Sequence, residues 1–146
     1  MREGAVVMKI VSAQLELSSD GNFNVINLTD RVSEFVSGSG VQDGHVYVFY
    51  QHSTGSVIID EFEAGIMSDL KEMLDRLAPR DHPYKHHIRA VDYNGHAHLR
   101  AALMQAEVGV PVVGGKMALG TYQDILVIDD QVDYEPRYVV LQVMGE

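Results

Sequence analysis

Alternating hydrophobic and polar residues predict β-strands along most of this chain. Residues 6–17 alternate well in their second half, where Val11, Ala13, Leu15 and Leu17 occupy one face. Residues 45–52 carry apolar side chains on both faces, which favours a strand in the middle of the protein. Further strand patterns lie at residues 23–28, 56–59, 110–113, 116–119, 123–128 and 137–144.

Turn residues indicate how two of these strand pairs are connected. The turn cluster Ser-Ser-Asp-Gly-Asn at residues 18–22 predicts that residues 23–28 fold back as the hairpin partner of the first strand. Gly114-Gly115 predicts a two-residue hairpin turn between residues 110–113 and 116–119.

Three other stretches follow the spacing of helices, at residues 29–36, 60–77 and 94–106. The second is expected to begin at Asp60, because Asp60 and Glu63 have the spacing of a capping box. The third is expected to begin at Asn94, with a buried face that consists of Leu99, Ala102, Leu103 and Ala106.

The helices are inserted between pairs of strands and do not alternate with single strands, which argues against a doubly wound parallel sheet. The predicted fold class is α+β: an antiparallel-rich, two-sheet β-sandwich with two or three helices. The 146 residues are expected to form one domain, residues 1–146.

Composition narrows the function classes. The formal net charge of −10 argues against binding to nucleic acid or to an anionic membrane. The chain has no cysteine, which excludes disulfides and thiolate metal sites and is consistent with a cytoplasmic protein. Residues 1–17 do not have the pattern of a signal peptide, and no apolar run approaches the roughly 20 residues of a membrane span.

Polar residues with catalytic or ligand-binding chemistry interrupt the apolar pattern at three places. His52 follows the central strand and precedes the small turn residue Thr54. His86 lies in the segment between the second and third helices. Asn94 and His98 are one turn apart on the third helix, so their side chains can converge. Separated histidines near carboxylates such as Glu61 match a divalent-metal site with nitrogen and oxygen ligands.

These residues also have ordinary structural interpretations. A lone strand-end histidine is more often a hydrogen-bonded structural residue than a ligand, and His87 and His96 are expected to be exposed. Gly120 and Gln123 could let a ligand approach the backbone closely. Arg137 could contact an anion or pair with the acidic loop at residues 129–135.

An ordered set of motifs that covers most of the chain resembles the YjbQ-like family, also described as secondary thiamine-phosphate synthases. The matching pieces are His52-Ser53-Thr54, Asp60-Glu61, Asp69-Leu70, Leu77-Ala78-Pro79, Tyr84-x-His86, Asn94-x-x-x-His98-Leu99, Val110-Pro111-Val112, residues 115–123 (Gly-Lys-Met-Ala-Leu-Gly-Thr-Tyr-Gln), Arg137 and the terminal Val143-Met144-Gly145-Glu146. The chain departs from the family where Gly55 replaces the usual Ala, Asp60 the usual Asn and Tyr122 the usual Trp.

The resemblance implies a small sandwich that packs as a homotrimer, with a polar pocket at or near a subunit interface. It also implies a weak, metal-assisted transferase that joins hydroxymethylpyrimidine pyrophosphate to thiazole phosphate and releases pyrophosphate. The expected partner is therefore a small phosphorylated molecule.

The residues expected to carry this function fall into three groups. The catalytic group is His52, Glu61, His86, Asn94 and His98; the substrate-binding group is Thr54, Gly120, Gln123 and Arg137; and His52, His86 and His98 are the expected ligands of Mg, Mn or Zn. The same pocket could instead serve a non-enzymatic trimeric binding protein for a small anionic metabolite or metal ion. A hydrolase with a metal-activated water is a third possibility.

Overall fold

The computed structural model describes residues 4–146. Residues 1–3, the start of the segment without a signal-peptide pattern, lie outside the described residues. The elements are β1 Lys9–Leu17, β2 Asn24–Asn27, α1 Thr29–Ser39, β3 Gly44–Tyr50, β4 Gly55–Asp60, α2 Ala64–Leu77, α3 His86–Arg89, α4 Gly95–Met104, β5 Glu107–Val113, β6 Lys116–Met117, β7 Asp124–Asp129 and β8 Arg137–Gly145. Within residues 4–146, no helix is long and apolar enough to cross a membrane.

The strands form two sheets in which every paired neighbour is antiparallel. One sheet has the order β1-β8-β3-β5-β6 and the other the order β2-β7-β4. The predicted α+β class with two antiparallel sheets is therefore confirmed. The helices are the three expected ones and the short α3. The strand β3 lies between β8 and β5, as its apolar residues on both faces predict.

The core lies between the two sheets and is closed by α1. Buried side chains of β3, β5 and β8 from the larger sheet meet those of β4 and β7 from the smaller one; they include Val46, Val48, Val110, Val139, Leu141, Val57, Ile125 and Val127. Residues 125–128 of β7 are fully buried on both faces. Since alternate residues of a strand point to opposite faces, the smaller sheet must be covered on both sides. On its far side, α4 packs against β4.

The predicted hairpin between the first two strands is wrong. Strand β2 pairs with β7, and β1 pairs instead with β8 from Lys9↔Gly145 to Leu17↔Arg137. Residues 21–23 all adopt positive φ, and the Asn22 N–H donates to the Gln131 carbonyl at 2.8 Å. These contacts direct the chain toward the loop after β7, so β2 joins the smaller sheet.

The predicted capping box at Asp60 is also wrong, because α2 begins later. Asp60 is the last residue of β4, where it pairs with Asp124. The cap of α2 is Glu63, whose carboxylate accepts hydrogen bonds from the N–H groups of Gly65 and Ile66, both at 2.8 Å. These backbone hydrogen bonds lower the pKa of Glu63. Because β4 stays paired up to Asp60, α2 begins at Ala64, four residues later than predicted.

The helix α4 has the reverse of its predicted orientation. Leu99 and Leu103 are 52% and 60% exposed, whereas His96 and Arg100 are each 3% exposed. The guanidinium of Arg100 donates to Asp130 at 3.0 Å, to Asp75 at 2.8 Å and to the Ala78 carbonyl. Because a buried carboxylate needs a charged partner, the polar face of α4 turns inward.

Candidate functional site

A polar cavity of about 320 Å³ lies where the β3–β4 turn, the start of α4 and the β7–β8 loop meet. Five of the residues predicted from the sequence line it: His52, Thr54, Asn94, His98 and Arg137. The other residues of its lining are Gln51, Ser53, Asp92, Gln131 and Glu135. The cavity is called the polar cavity below.

Strand pairing explains why residues distant in sequence meet there. The first residue of β4, Gly55, pairs with the last residue of β7, Asp129. Just beyond this pair, the Asp130 N–H donates to the Thr54 carbonyl at 3.0 Å. The β3–β4 turn thus lies beside the β7–β8 loop, and α4, packed on β4, adds Asn94 and His98.

A chain of hydrogen bonds fixes the orientation of the Asn94 side chain and the tautomer of His86. The Val132 N–H donates to Gln131 Oε1 at 3.0 Å, and Asn94 Nδ2 donates to the same oxygen at 3.1 Å. Asn94 Oδ1 is therefore an acceptor, and it lies 3.1 Å from His86 Nε2. Since this acceptor requires a donor, His86 carries its proton on Nε2. His86 does not line the polar cavity but reaches it through Asn94.

His98 lies directly beside His86. The ring centroids are 4.7 Å apart and the ring planes are inclined by 69°. Burial lowers the pKa of His98, and His86 lowers it further, while the carboxylate of Asp92 and the backbone of Ser53 raise it by less. The lowered pKa keeps His98 neutral at pH 7, and a neutral imidazole keeps a lone pair on one ring nitrogen. The predicted convergence of Asn94 and His98 is confirmed.

His52 uses its ring nitrogens within the protein. The Tyr138 N–H donates to His52 Nε2 at 2.9 Å, and Arg137 Nη1 lies 3.3 Å from His52 Nδ1. Burial lowers the pKa of His52, and the nearby Arg137 lowers it further. A neutral imidazole has one lone pair, and here a protein donor occupies it. His52 is thus held as a structural wall of the cavity.

Arg137 is buried and forms the ion pairs with the acidic loop that were one of the two roles predicted for it. Its Nε lies 3.0 Å from Asp129 Oδ2 and its Nη1 lies 3.1 Å from Glu135 Oε2, so the pairing with the acidic loop is confirmed. Its Nη2 is buried and has no hydrogen-bond partner among the described residues. Arg137 also lines the polar cavity, so this unpaired donor belongs to a side chain of its wall.

Glu61, Gly120 and Gln123 lie at the opposite end of the smaller sheet. Glu61 follows the pair Asp60↔Asp124, whereas the polar cavity adjoins the pair Gly55↔Asp129. Five strand residues separate the two ends by about 17 Å. Gln123 Oε1 accepts from the Gly120 N–H at 2.8 Å, which closes the loop before β7. Within one chain, these three residues do not reach His98.

The structure does not fit the predicted three-histidine metal site. Among residues 4–146, no group of three or more His, Asp or Glu side chains is arranged to hold a metal ion. The lone pair of His52 is already occupied. His86 and His98 are neighbours, with Asp92 Oδ1 3.4 Å from His86 Nε2, but this nitrogen carries the proton.

Several lining residues were missed from the sequence. Gln131 orients Asn94, yet its sequence context indicates only an acidic loop. It stands two residues after the end of β7, as His52 stands two residues after the end of β3, and this placement after a buried strand is the signal that identified His52. Asp92 and Glu135 add negative charge to the lining, and both lie in segments without hydrophobic periodicity.

Comparison with known proteins agrees with the fold and the motifs. A family profile described as "UPF0047 protein YjbQ-like" matches residues 13–146. A UPF0047 protein of Methanothermobacter thermautotrophicus is 38% identical over 120 residues, covering 82% of each chain. One from Mycobacterium tuberculosis H37Rv is 40% identical over 119 residues, covering 80% of this chain and 86% of the relative.

Solved structures show the same architecture. The crystal structure of a YbjQ-like protein of unknown function from Sulfolobus solfataricus P2 has a TM-score of 0.91 at 30% identity, covering 96% of this chain and 100% of that one. A hypothetical protein from Aeropyrum pernix K1 has a TM-score of 0.86 at 32% identity, covering 93% and 99%. On the sequence match and the shared fold together, the chain belongs to the YjbQ-like UPF0047 family.

Proposed function

We propose that this protein is a weak thiamine-phosphate synthase-like transferase that binds its pyrophosphate substrate in the polar cavity. The observation that carries the proposal is the unpaired Nη2 donor of Arg137, a buried side chain in the lining of the polar cavity. Burying an unpaired guanidinium donor costs free energy, so a ligand with acceptor oxygens stabilises the site.

The reaction balances without an added base or oxidant. The C–O bond between the pyrimidine methylene and pyrophosphate breaks, and its electron pair leaves with the pyrophosphate. A C–N bond forms between the methylene carbon and the thiazole nitrogen, which becomes cationic. Neutral side chains suit this chemistry, because the protein's contribution is to orient two substrates and to stabilise charge on the leaving oxygens.

The residues divide these tasks. Arg137 Nη2 would donate to the departing pyrophosphate. His98 would accept a hydrogen bond from the pyrimidine amino group through its free lone pair. Asn94 would act as a positioning residue for His86. Since Asp92 and Glu135 make the lining acidic, the pyrophosphate ester would bind as its Mg²⁺ complex, with the cation as part of the substrate.

We also propose that the site is completed by a neighbouring subunit of a homotrimer. Two observations support this. Glu61 and Gln123 lie far from His98 within one chain, beside the exposed side chains Phe62 (51%) and Tyr122 (71%). The other end exposes Ile88 (85%) and Val91 (87%) near the cavity. Exposed apolar side chains at two different ends suit a head-to-tail interface, which closes into a ring.

Mixed trimers test this shared site. Glu61→Ala and His98→Ala are each expected to lose activity. Unfolding and refolding them together at equal amounts should restore about a quarter of the parental activity if each site takes Glu61 from one chain and His98 from another. No recovery from well-folded mixed trimers would show that the site does not combine these residues across chains.

Product formation tests the transferase itself. Hydroxymethylpyrimidine pyrophosphate and thiazole phosphate are incubated with the protein, with and without Mg²⁺, and thiamine phosphate is measured by mass spectrometry. The control is His45→Ala, which changes a histidine on the face of β3 opposite to the buried Val46 and Val48. The parent and this control should form product, and His98→Ala should form at least about tenfold less. Equal product from all three would contradict the proposal.

One further observation favours the alternative of a non-enzymatic binding protein. The polar cavity offers hydrogen-bonding groups, but among its described lining residues no nucleophile is paired with a base. Binding of pyrophosphate with no product under any condition would favour this alternative.

A further inference from the structure

A second cavity, of about 500 Å³, adjoins the site and has a different chemical character. Pro83, Tyr84 and Leu99 supply apolar surface, and the rings of His82, His86 and His98 supply flat faces and edges. It is called the ring cavity below. Pockets lined by aromatic and aliphatic groups, with a few polar ones, are typical of sites for planar ligands.

The aromatic wall of the ring cavity is held rigidly. Tyr84 donates its hydroxyl hydrogen to the Pro79 carbonyl at 2.7 Å. Its ring lies so close to the backbone of Gly95 that a Cβ there would meet it at 2.7 Å. His82 and His87 contact it edge-on, with centroid distances of 4.6 and 5.4 Å. A ligand in this cavity would therefore meet a preformed surface.

The exposure of Leu99 supports a ligand on this surface. Leu99 is 52% exposed although the pattern of α4 predicts it in the core. The buried ion pairs of Arg100 explain why the helix turns its polar face inward and leaves Leu99 at the surface, in the lining of the ring cavity. A flat apolar ring against Leu99 and Tyr84 would bury this surface.

Two features connect the ring cavity to the reaction. His98 lines both cavities and His86 stands beside it, so ligands in the two cavities would meet at this pair of rings. Lys85 lies in the lining of the ring cavity, whereas the polar cavity contains Asp92 and Glu135. A single lysine suits a phosphate monoester, and the acidic cavity suits the magnesium complex of a pyrophosphate.

We infer that the ring cavity is the binding site of the phosphorylated heteroaromatic substrate. Its ring would lie between Tyr84 and Leu99, and its phosphate would contact Lys85. This assignment rests on the proposed function for the identity of the ligand. It places the thiazole phosphate on one side of the His86–His98 pair and the pyrophosphate ester on the other.

Binding without turnover tests the assignment. The probes are the thiazole phosphate and its dephosphorylated alcohol, titrated by calorimetry into the assembled protein without the second substrate. Leu99→Ala should weaken both probes about fivefold to tenfold, because both carry the ring. Lys85→Gln should weaken the phosphate about tenfold and leave the alcohol within about twofold. The controls are Leu103→Ala, one turn along α4, and Lys116→Gln on β6; both should match the parent.

The failures of the two proposals are distinguishable. If neither probe binds the parent, or if Leu99→Ala and Lys85→Gln behave like their controls, the assignment of the ring cavity is overturned even where product forms. If the binding pattern holds but no thiamine phosphate forms, the assignment stands and the transferase proposal fails.

Discussion

His86 Nε2 lies 3.1 Å from Asn94 Oδ1, and this contact sets the protonation pattern of the candidate site. The Asn94 amide is oriented by Gln131, whose own oxygen is held by the Val132 N–H. A backbone group in the β7–β8 loop thus determines which nitrogen of a histidine in α3 carries the proton. This hydrogen-bond chain links the start of α4 to α3 and to the β7–β8 loop.

Replacing Asn94 should separate function from stability. Asn94→Ala removes the acceptor of His86 and the donor to Gln131, so product formation should fall at least about tenfold, while the free energy of unfolding falls by only about 1 kcal/mol. The matched control is Asn24→Ala, which removes one side-chain hydrogen bond to Ser19 away from the cavity. The control should lose similar stability and keep its activity; parallel losses of activity in both variants would contradict the positioning role.

The buried pair Arg137–Asp129 should be essential for the fold. Arg137→Met leaves the carboxylate of Asp129, which is 0% exposed, without its charged partner, and should lower the free energy of unfolding by about 3–5 kcal/mol. The control Arg76→Met breaks an exposed pair with Glu72 and should cost less than about 1 kcal/mol. Urea denaturation measures both. Similar small losses in the two variants would show that Asp129 is not dependent on Arg137.

The structure leaves no room for a side chain at Gly55, where the resemblance to the family implies alanine. A Cβ at Gly55 would lie 2.6 Å from the Ile128 carbonyl oxygen and 2.6 Å from Cε1 of Tyr50. Gly55→Ala should therefore destabilise the protein by about 1–3 kcal/mol. The control Gly38→Ala, in α1 with no atom within 4 Å of its Cβ position, should gain up to about 1 kcal/mol. Thermal unfolding of both variants measures the difference, and a stable Gly55→Ala would contradict the packing.

His96 should make stability depend on pH. Burial, and then the nearby Arg100, lower its pKa from 6.5 to about 4. Between these values the unfolded chain binds the proton and the native chain does not, so stability rises with pH. About 3 kcal/mol is fully present above pH 6.5 and is lost progressively as the pH falls to about 4.

Urea denaturation between pH 4 and pH 8 measures this effect. His96→Gln should flatten the rise in the free energy of unfolding between pH 4 and pH 6.5, whereas the exposed control His82→Gln should keep the parental slope. An unchanged slope in His96→Gln would assign the pH dependence to other groups.

Much of the fold follows from local sequence patterns. Most strands and the three longer helices lie close to their predicted positions, because alternation and helical spacing report burial directly. The errors occur where a distant partner decides the outcome. Phe23 and Asn24 have the pattern of a hairpin strand, but the hydrogen bond to Gln131 directs the preceding turn toward the other sheet. The pattern of α4 predicts that its apolar face is buried, but the ion pair between Arg100 and Asp130 buries its polar face instead.

The candidate site was predictable only where its residues stand at the ends of helices and strands. His52, Asn94 and His98 stand at element ends, where a polar residue after an apolar run is visible in the sequence. The roles of Gln131 and of the ring of Tyr84 depend on contacts between loops, and such contacts leave no periodic pattern. Glu61 and Gln123 share motifs with the site residues, yet the register of β4 and β7 places them at the other end of the sheet.

The most direct test of the central claim is a crystal structure of the protein with thiamine phosphate and pyrophosphate. The account predicts pyrophosphate within hydrogen-bonding distance of Arg137 Nη2 in the polar cavity, and the product's rings beside His98. Ligands bound at another surface, with the polar cavity holding only solvent, would contradict it.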